Sequence, residues 1–220
     1  MITTTKERQI LFTGAMVRAL LAGTKTQTRR IIKSPTGTFE INSTLDMKQC
    51  WLNVTDANEQ AVRPLMCPYG QPGERLWVRE NLFWSEHEDG WCYQADNDML
   101  ECEYSEAPIL QKPLKSFIPS MHMPRVASRI LLEIVAVRVE RLQDISADDS
   151  VAEGVEVSHR DTSGMPWYKL PGWEKPINVS DAKIVYQHIW ETINGADSWK
   201  ANPWVWVVEF RKVQKGADNV

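Results

Sequence analysis

The spacing of apolar positions changes several times along this chain, and each change marks an element. Residues 10–12 form a short apolar run that reads as a strand. Met16, Val17, Leu20 and Leu21 then recur at helical spacing, which predicts a helix over 15–22 opened by Thr13 and Gly14. Gly23 stands where a left-handed C-terminal cap belongs. Residues 26–32 return to strand character, with Thr28 and Arg30 sharing a face. The stretch 34–66 is weakly patterned and reads as an irregular insertion. A dense turn signal at 67–74 precedes a strand over 75–80, where Leu76 and Val78 face one way and Arg75, Trp77 and Arg79 the other. Residues 84–93 supply a strand that pairs back, with Asp89 and Gly90 as turn residues.

Residues 105–119 carry prolines and read as irregular. The longest strand pattern follows, over 127–141. Ile130, Leu132 and Ile134 share one parity, and Val135, Val137 and Val139 the other, so a bend or bulge is expected between the two sets. Ser146 is an N-cap candidate for a short helix ending near Gly154, with Asp148 and Asp149 in its first turn. Residues 156–179 are rich in Gly, Pro and Trp and read as a second irregular insertion. Ser180 or Asp181 caps a helix reaching about Ile193, with Ile184, Val185, Ile189 and Ile193 expected inward and Asn194-Gly195 ending it. The last strand is 204–213, and 214–220 reads as a frayed tail. Strands dominate and no regular βαβ alternation occurs. The expectation is one α+β domain over 1–213, a small mixed β-barrel with peripheral helices and the two insertions.

A length of 220 residues suits one domain that buries its own core. The net charge of −4 argues against a protein that coats long duplexes through charge alone. The first nine residues lack the apolar run of a secretory signal, and no stretch reaches the ~18 apolar residues of a membrane span, so a cytoplasmic protein with no membrane partner is expected. Cys50, Cys67, Cys92 and Cys102 lack CxxC spacing; neither a zinc site nor any other metal or cofactor is expected. Ten tryptophans fill core positions or offer platforms on which bases stack.

The densest chemistry lies in Gly23-Thr24-Lys25-Thr26-Gln27-Thr28-Arg29-Arg30, where a helix gives way to a strand. This segment resembles one of the ASCH domain family, in the PUA-like superfamily. Three further segments carry the likeness: 72–80 (Pro-Gly-Glu-Arg-Leu-Trp-Val-Arg-Glu), Ala152-Glu153-Gly154, and 202–210 at the end of the chain. Residues 119–125 (Pro-Ser-Met-His-Met-Pro-Arg) add a likeness to the longer, phage- or prophage-encoded members. The resemblance covers about two thirds of the chain and implies a pseudo-barrel with a cleft and a role in handling RNA or modified nucleosides. A small bacterial member removes the acetyl group from N4-acetylcytidine. Matched to it residue by residue, Lys25, Thr28 and Glu153 are the implied catalytic set.

Amide hydrolysis needs a nucleophile, a base and a stabiliser of the oxyanion. Two versions fit the three residues. In one, a neutral Lys25 takes the proton of Thr28. In the other, Glu153 activates water while Lys25 stays charged at the oxyanion. Thr26, Arg29, Arg30, Trp77, Arg79, Glu80, His122 and Arg125 are the candidate substrate-binding residues: arginines for phosphate, Trp77 for stacking, His122 for proton transfer, and Glu80 for an arginine or a base edge. The expected partner is a modified nucleoside, RNA or single-stranded nucleic acid. Hydrolysis of an N4-acylated cytidine stands first; a non-catalytic RNA-binding module and a ribonuclease are the alternatives.

Overall fold

A computed structural model describes residues 5–33, 40–41, 51–52, 54–55, 65–101, 110, 116–171 and 177–214. In chain order the elements are β1 (Glu7–Leu11), α1 (Gly14–Leu21), β2 (Gln27–Ile31), β3 (Glu40–Ile41), β4 (Trp51–Leu52), β5 (Val54–Thr55), β6 (Leu65–Met66), β7 (Arg75–Arg79), β8 (Leu82–Ser85), β9 (Gly90–Tyr93) and β10 (Phe117–Ile118). Then come β11 (Leu131–Arg141), α2 (Ala147–Ala152), β12 (Val157–Arg160), β13 (Pro166–Leu170), β14 (Ile177–Val179), α3 (Ala182–Asn194) and β15 (Trp204–Lys212). The class is α+β, as the strand-rich pattern implies.

In the first of the chain's two compact units the strand order is β1-β7-β11, and in the second β15 pairs with β2. The expected barrel closure is not found among the described residues. No helix among them is long and apolar enough to cross a membrane.

The chain divides into two compact units, one of residues 1–23, 72–135 and 210–220, the other of 24–71 and 136–209. In the first, β1 runs parallel to β7 with Gln9 opposite Trp77, and the start of β11 runs antiparallel to β7 with Leu131 opposite Trp77. The Thr13 hydroxyl accepts from the Met16 amide to open α1, and Gly23, at φ +75°, ends it, as its position predicted. The segment 84–93 resolves into two strands, β8 and β9, joined through Asp89 at φ +45°. Leu82, Trp91, Tyr93, Ile118 and Met123 pack into one buried cluster there.

In the second unit, β2 runs antiparallel to β15, Arg29 lying opposite Val207. Val205 and Val207 pack with Val185, Tyr186, Trp190 and Trp199 in the core of this unit. Tyr186 lies 6.3 Å from Trp190 and 6.2 Å from Trp199, ring centre to ring centre. The inward face of α3 is therefore Ala182, Val185, Tyr186 and Trp190, while Ile184 and Ile193, expected inward, are exposed. The buried positions follow the i, i+3, i+4, i+8 rule, but two of them are aromatic.

Among its described residues, 156–171 and 177–179, the second insertion is not irregular. β12, β13 and β14 form an antiparallel sheet with Tyr168 opposite Val179. Within 34–66, β3 pairs with β5 and β4 with β6; the rest of that stretch, most of 105–115 and the tail from 215 lie outside the described residues. Along β11 the inward parity does switch: Leu132, Ile134 and Val137 are buried and Val135 is exposed.

Candidate functional site

Lys25 precedes β2, and β2 then alternates. Lys25, Gln27 and Arg29 share one parity, Thr28 and Arg30 the other. The first set meets α2. The Thr26 amide donates to the Ala152 carbonyl at 2.8 Å, filling one of the unpaired acceptors at the end of α2 and bringing the loop to that end. α2 itself is opened by the Ser146 hydroxyl, which accepts from the Asp149 amide at 3.0 Å. Asp149 and Glu153 stand four residues apart and so point the same way.

The Lys25 ammonium donates to Glu153 Oε2 at 2.8 Å, to the Glu153 carbonyl at 2.7 Å and to the Gln27 carbonyl at 2.9 Å. The Lys25 and Glu153 side chains are 0% and 3% exposed. Arg29 closes the other side of Glu153, its Nη1 lying 3.2 Å from Oε1. The same guanidinium donates to Glu140 Oε1 at 2.8 Å through Nε and to Asp149 Oδ2 at 3.0 Å through Nη2. Gln27 Nε2 donates to Asp149 Oδ1 at 2.7 Å. Arg138 extends the chain of contacts to Glu140, Asp149, Gln27 and Glu209. Three cations and four carboxylates thus form one network, nearly dry at Lys25 and Glu153 and wetter at Asp149, Arg138 and Glu209.

Burial shifts the protonation equilibria here. Desolvation lowers the Lys25 pKa, against the attraction of Glu153, and Arg30 and Arg29 lower it further. Desolvation also opposes the charge of Arg29, but Glu153 and Glu140 outweigh it and its pKa rises. Burial, together with the charge of Glu153, holds the Tyr186 phenol well above its ordinary range. Asp149 is lowered: desolvation opposes this, and its bond from Gln27 with the charges of Arg29 and Arg138 prevail.

The structure brings Lys25 and Glu153 together and adds Arg29 as the third member of the group. Thr28 is buried on the alternate face of β2, with half-buried Arg30 on the same side. Thr26 is exposed. Arg29, expected to grip phosphate, has a side chain with no exposure and donates to three carboxylates.

The other candidates belong to the first unit. Glu80 is 2% exposed and forms a two-pronged pair with Arg129, at 3.0 and 2.9 Å. Burial raises its pKa against that pairing. Trp77 and Arg79 lie half-buried on the outer face of β7, Arg125 is exposed, and His122 is exposed at the end of a 3-10 turn over Ser120–His122.

Gln27, Arg138, Glu140, Asp149 and Glu209 escaped the sequence reading as site residues. Two signals pointed to them: the shared parity of Lys25, Gln27 and Arg29, and the i, i+4 spacing of Asp149 and Glu153. Among the described residues, no group of three or more His, Cys, Asp or Glu side chains is placed to hold a metal ion. The fold and this network define an α+β protein with a buried charged centre. No family model, no curated protein and no solved structure matches the chain.

Proposed function

We propose that this protein is an ASCH-like, PUA-like amidohydrolase acting in the cytoplasm on an N4-acylated cytidine or a similar modified nucleoside. The observation that carries this reading is the 2.8 Å contact between Lys25 Nζ and Glu153 Oε2, from a loop and a helix end far apart in the chain. These are two of the three residues that the resemblance implies.

Three acceptors around Nζ suit an ammonium, which has three N–H donors, better than a neutral amine. Thr28 lies on the other face of its strand. Both points favour the version in which water is the nucleophile. Glu153 takes a proton from water as the water oxygen bonds to the acyl carbon. The oxyanion takes the place of one backbone acceptor on Lys25, and the C–N4 bond then breaks. The proton held by Glu153 passes to N4, releasing the free cytosine amine and a carboxylic acid. Arg29 holds the Glu153 carboxylate in its orientation throughout.

The test is incubation with N4-acetylcytidine and separation of cytidine by chromatography. Glu153→Gln and Lys25→Ala are expected to lower kcat by about 100-fold or more, with the folded state verified by circular dichroism. The filled donor shell of Lys25 is the observation that favours a second reading, a non-catalytic RNA-binding module. Absence of turnover in the wild type, alongside RNA affinity that survives both substitutions, would replace the first reading with the second.

A further inference from the structure

α3 covers the side of the β2–β15 pair that carries the charged network. Val207 packs with Tyr186 in the core of this unit, and Arg29 lies opposite Val207 in the register. Residues directly opposite one another on paired strands share a face, so Arg29 and Tyr186 occupy one side of the sheet. α2 joins them there: Val151, two residues before Glu153, packs against the same cluster. Tyr186 is 4% exposed, and its ring is held against Trp190 at 6.3 Å and Trp199 at 6.2 Å.

The hydroxyl of this ring is not held in the same way. A buried phenol ordinarily finds a hydrogen-bond partner, and Tyr93 does so by donating to the Ala127 carbonyl at 2.8 Å. The Tyr186 hydroxyl makes no hydrogen bond among the described residues. Phenylalanine would serve the packing as well and would carry no polar atom into the core. Burial, and after it the charge of Glu153, holds the phenol well above its ordinary range against the pull of Arg29 and Arg30. The hydroxyl therefore keeps its proton beside the network and has a hydrogen to give.

Amide hydrolysis develops negative charge on the acyl oxygen. A neutral donor with no competing partner stabilises that charge without first giving up a bond. Lys25 does not meet this condition, since its ammonium already donates to three acceptors. We infer that the Tyr186 hydroxyl is a catalytic donor: it holds the acyl oxygen of the substrate beside Glu153, and its hydrogen bond strengthens as that oxygen becomes an oxyanion. The phenol proton stays on Tyr186 throughout; the proton delivered to N4 is the one that Glu153 takes from water. This inference rests on the amidohydrolase reading and adds to it a residue on α3 that lies outside the set implied by the resemblance.

The test is Tyr186→Phe in the intact chain, which removes one oxygen and keeps the ring, assayed with N4-acetylcytidine. The value of kcat is expected to fall about 100-fold or more, the scale of one lost oxyanion donor. KM is expected to change little, because the bond is made chiefly in the transition state. Cytidine has no acyl oxygen and is expected to inhibit Tyr186→Phe and wild type equally. Trp190→Phe alters the same aromatic cluster without touching the hydroxyl and is expected to keep kcat close to wild type. Circular dichroism and the urea midpoint verify the fold of each variant. Wild-type kcat in Tyr186→Phe, or a raised KM at constant kcat, overturns the inference and leaves the amidohydrolase reading standing. An equal loss of kcat in Trp190→Phe, weaker inhibition of Tyr186→Phe by cytidine, or loss of its fold also overturns the inference, because packing of α3 would then account for the effect. Absence of turnover in the wild type removes the amidohydrolase reading and this inference with it.

Discussion

Lys25 and Glu153 lie 128 positions apart in the chain and meet at 2.8 Å, with both side chains almost wholly withdrawn from water. Such a pair stabilises only while both partners are present, because each is a charge that the interior would otherwise have to hold alone. Lys25→Met is expected to cost about 3–5 kcal/mol, and Glu153→Leu a similar amount. The double variant Lys25→Met/Glu153→Leu is expected to lose less than the sum, since two apolar side chains replace two charges and Arg29 keeps Glu140 and Asp149. Urea denaturation of the four proteins measures this. Strict additivity would mean that the two residues do not act as a pair.

Asp149 gives the network an acid limit. Its folded pKa lies below the ordinary 3.8, so the unfolded chain binds its proton first as pH falls. The stability it contributes is complete above pH 3.8 and is lost as pH drops through the lower, folded value. Asp149→Asn is expected to cost about 1.5–3 kcal/mol near pH 7, the scale of hydrogen bonds to a charged group. That difference should shrink when unfolding is measured below pH 3.8. A gap between variant and wild type that stays constant over this range would show that the charge of Asp149 is not what matters.

Local signals are legible in the sequence of this chain, and long-range ones are not. Thr13, Gly23 and Ser146 mark helix ends because caps act within four residues, and each stands where its chemistry predicts. The parity switch in β11 was visible because strand alternation is local as well. The sheet of β12 to β14 was not visible: every residue of β12 is exposed, so no apolar alternation marks it. On α3, Val185 and Ile189 do pack inward, but Ile184 and Ile193 do not, and Tyr186 and Trp190 carry much of the packing that the isoleucine spacing does not reveal. The resemblance, and not the spacing, points to Lys25 and Glu153. The pairing of Arg29 with Glu140 and Asp149, 111 and 120 positions away, is one that spacing does not reveal.

Arg29 binds three carboxylates through one planar guanidinium, which a lysine cannot imitate with its compact, three-donor head. Arg29→Lys is expected to lower stability by at least about 2 kcal/mol although the charge is kept. Because its side chain has no exposure, the same substitution should leave the salt dependence of oligonucleotide binding unchanged. Denaturation and anisotropy on one preparation separate the two effects. A reduced salt slope with intact stability would return Arg29 to the role of a phosphate ligand.

α2 has six residues, too few to persist without its ends secured, yet it places Asp149 and Glu153 against β2. The Ser146 hydroxyl is therefore part of the charged centre at one remove. Ser146→Ala is expected to cost about 1 kcal/mol, and Ser146→Asp to cost little, because aspartate caps equally well. If the cap acts by holding the helix in register, Lys25→Met should also cost less in the Ser146→Ala background than alone, since part of the Glu153 placement is already lost. Urea denaturation of Ser146→Ala, Lys25→Met and the double variant supplies the coupling. A Ser146→Ala protein as stable as wild type, or penalties that simply add, would show that Glu153 is positioned by Lys25 and Arg29 without help from the helix cap.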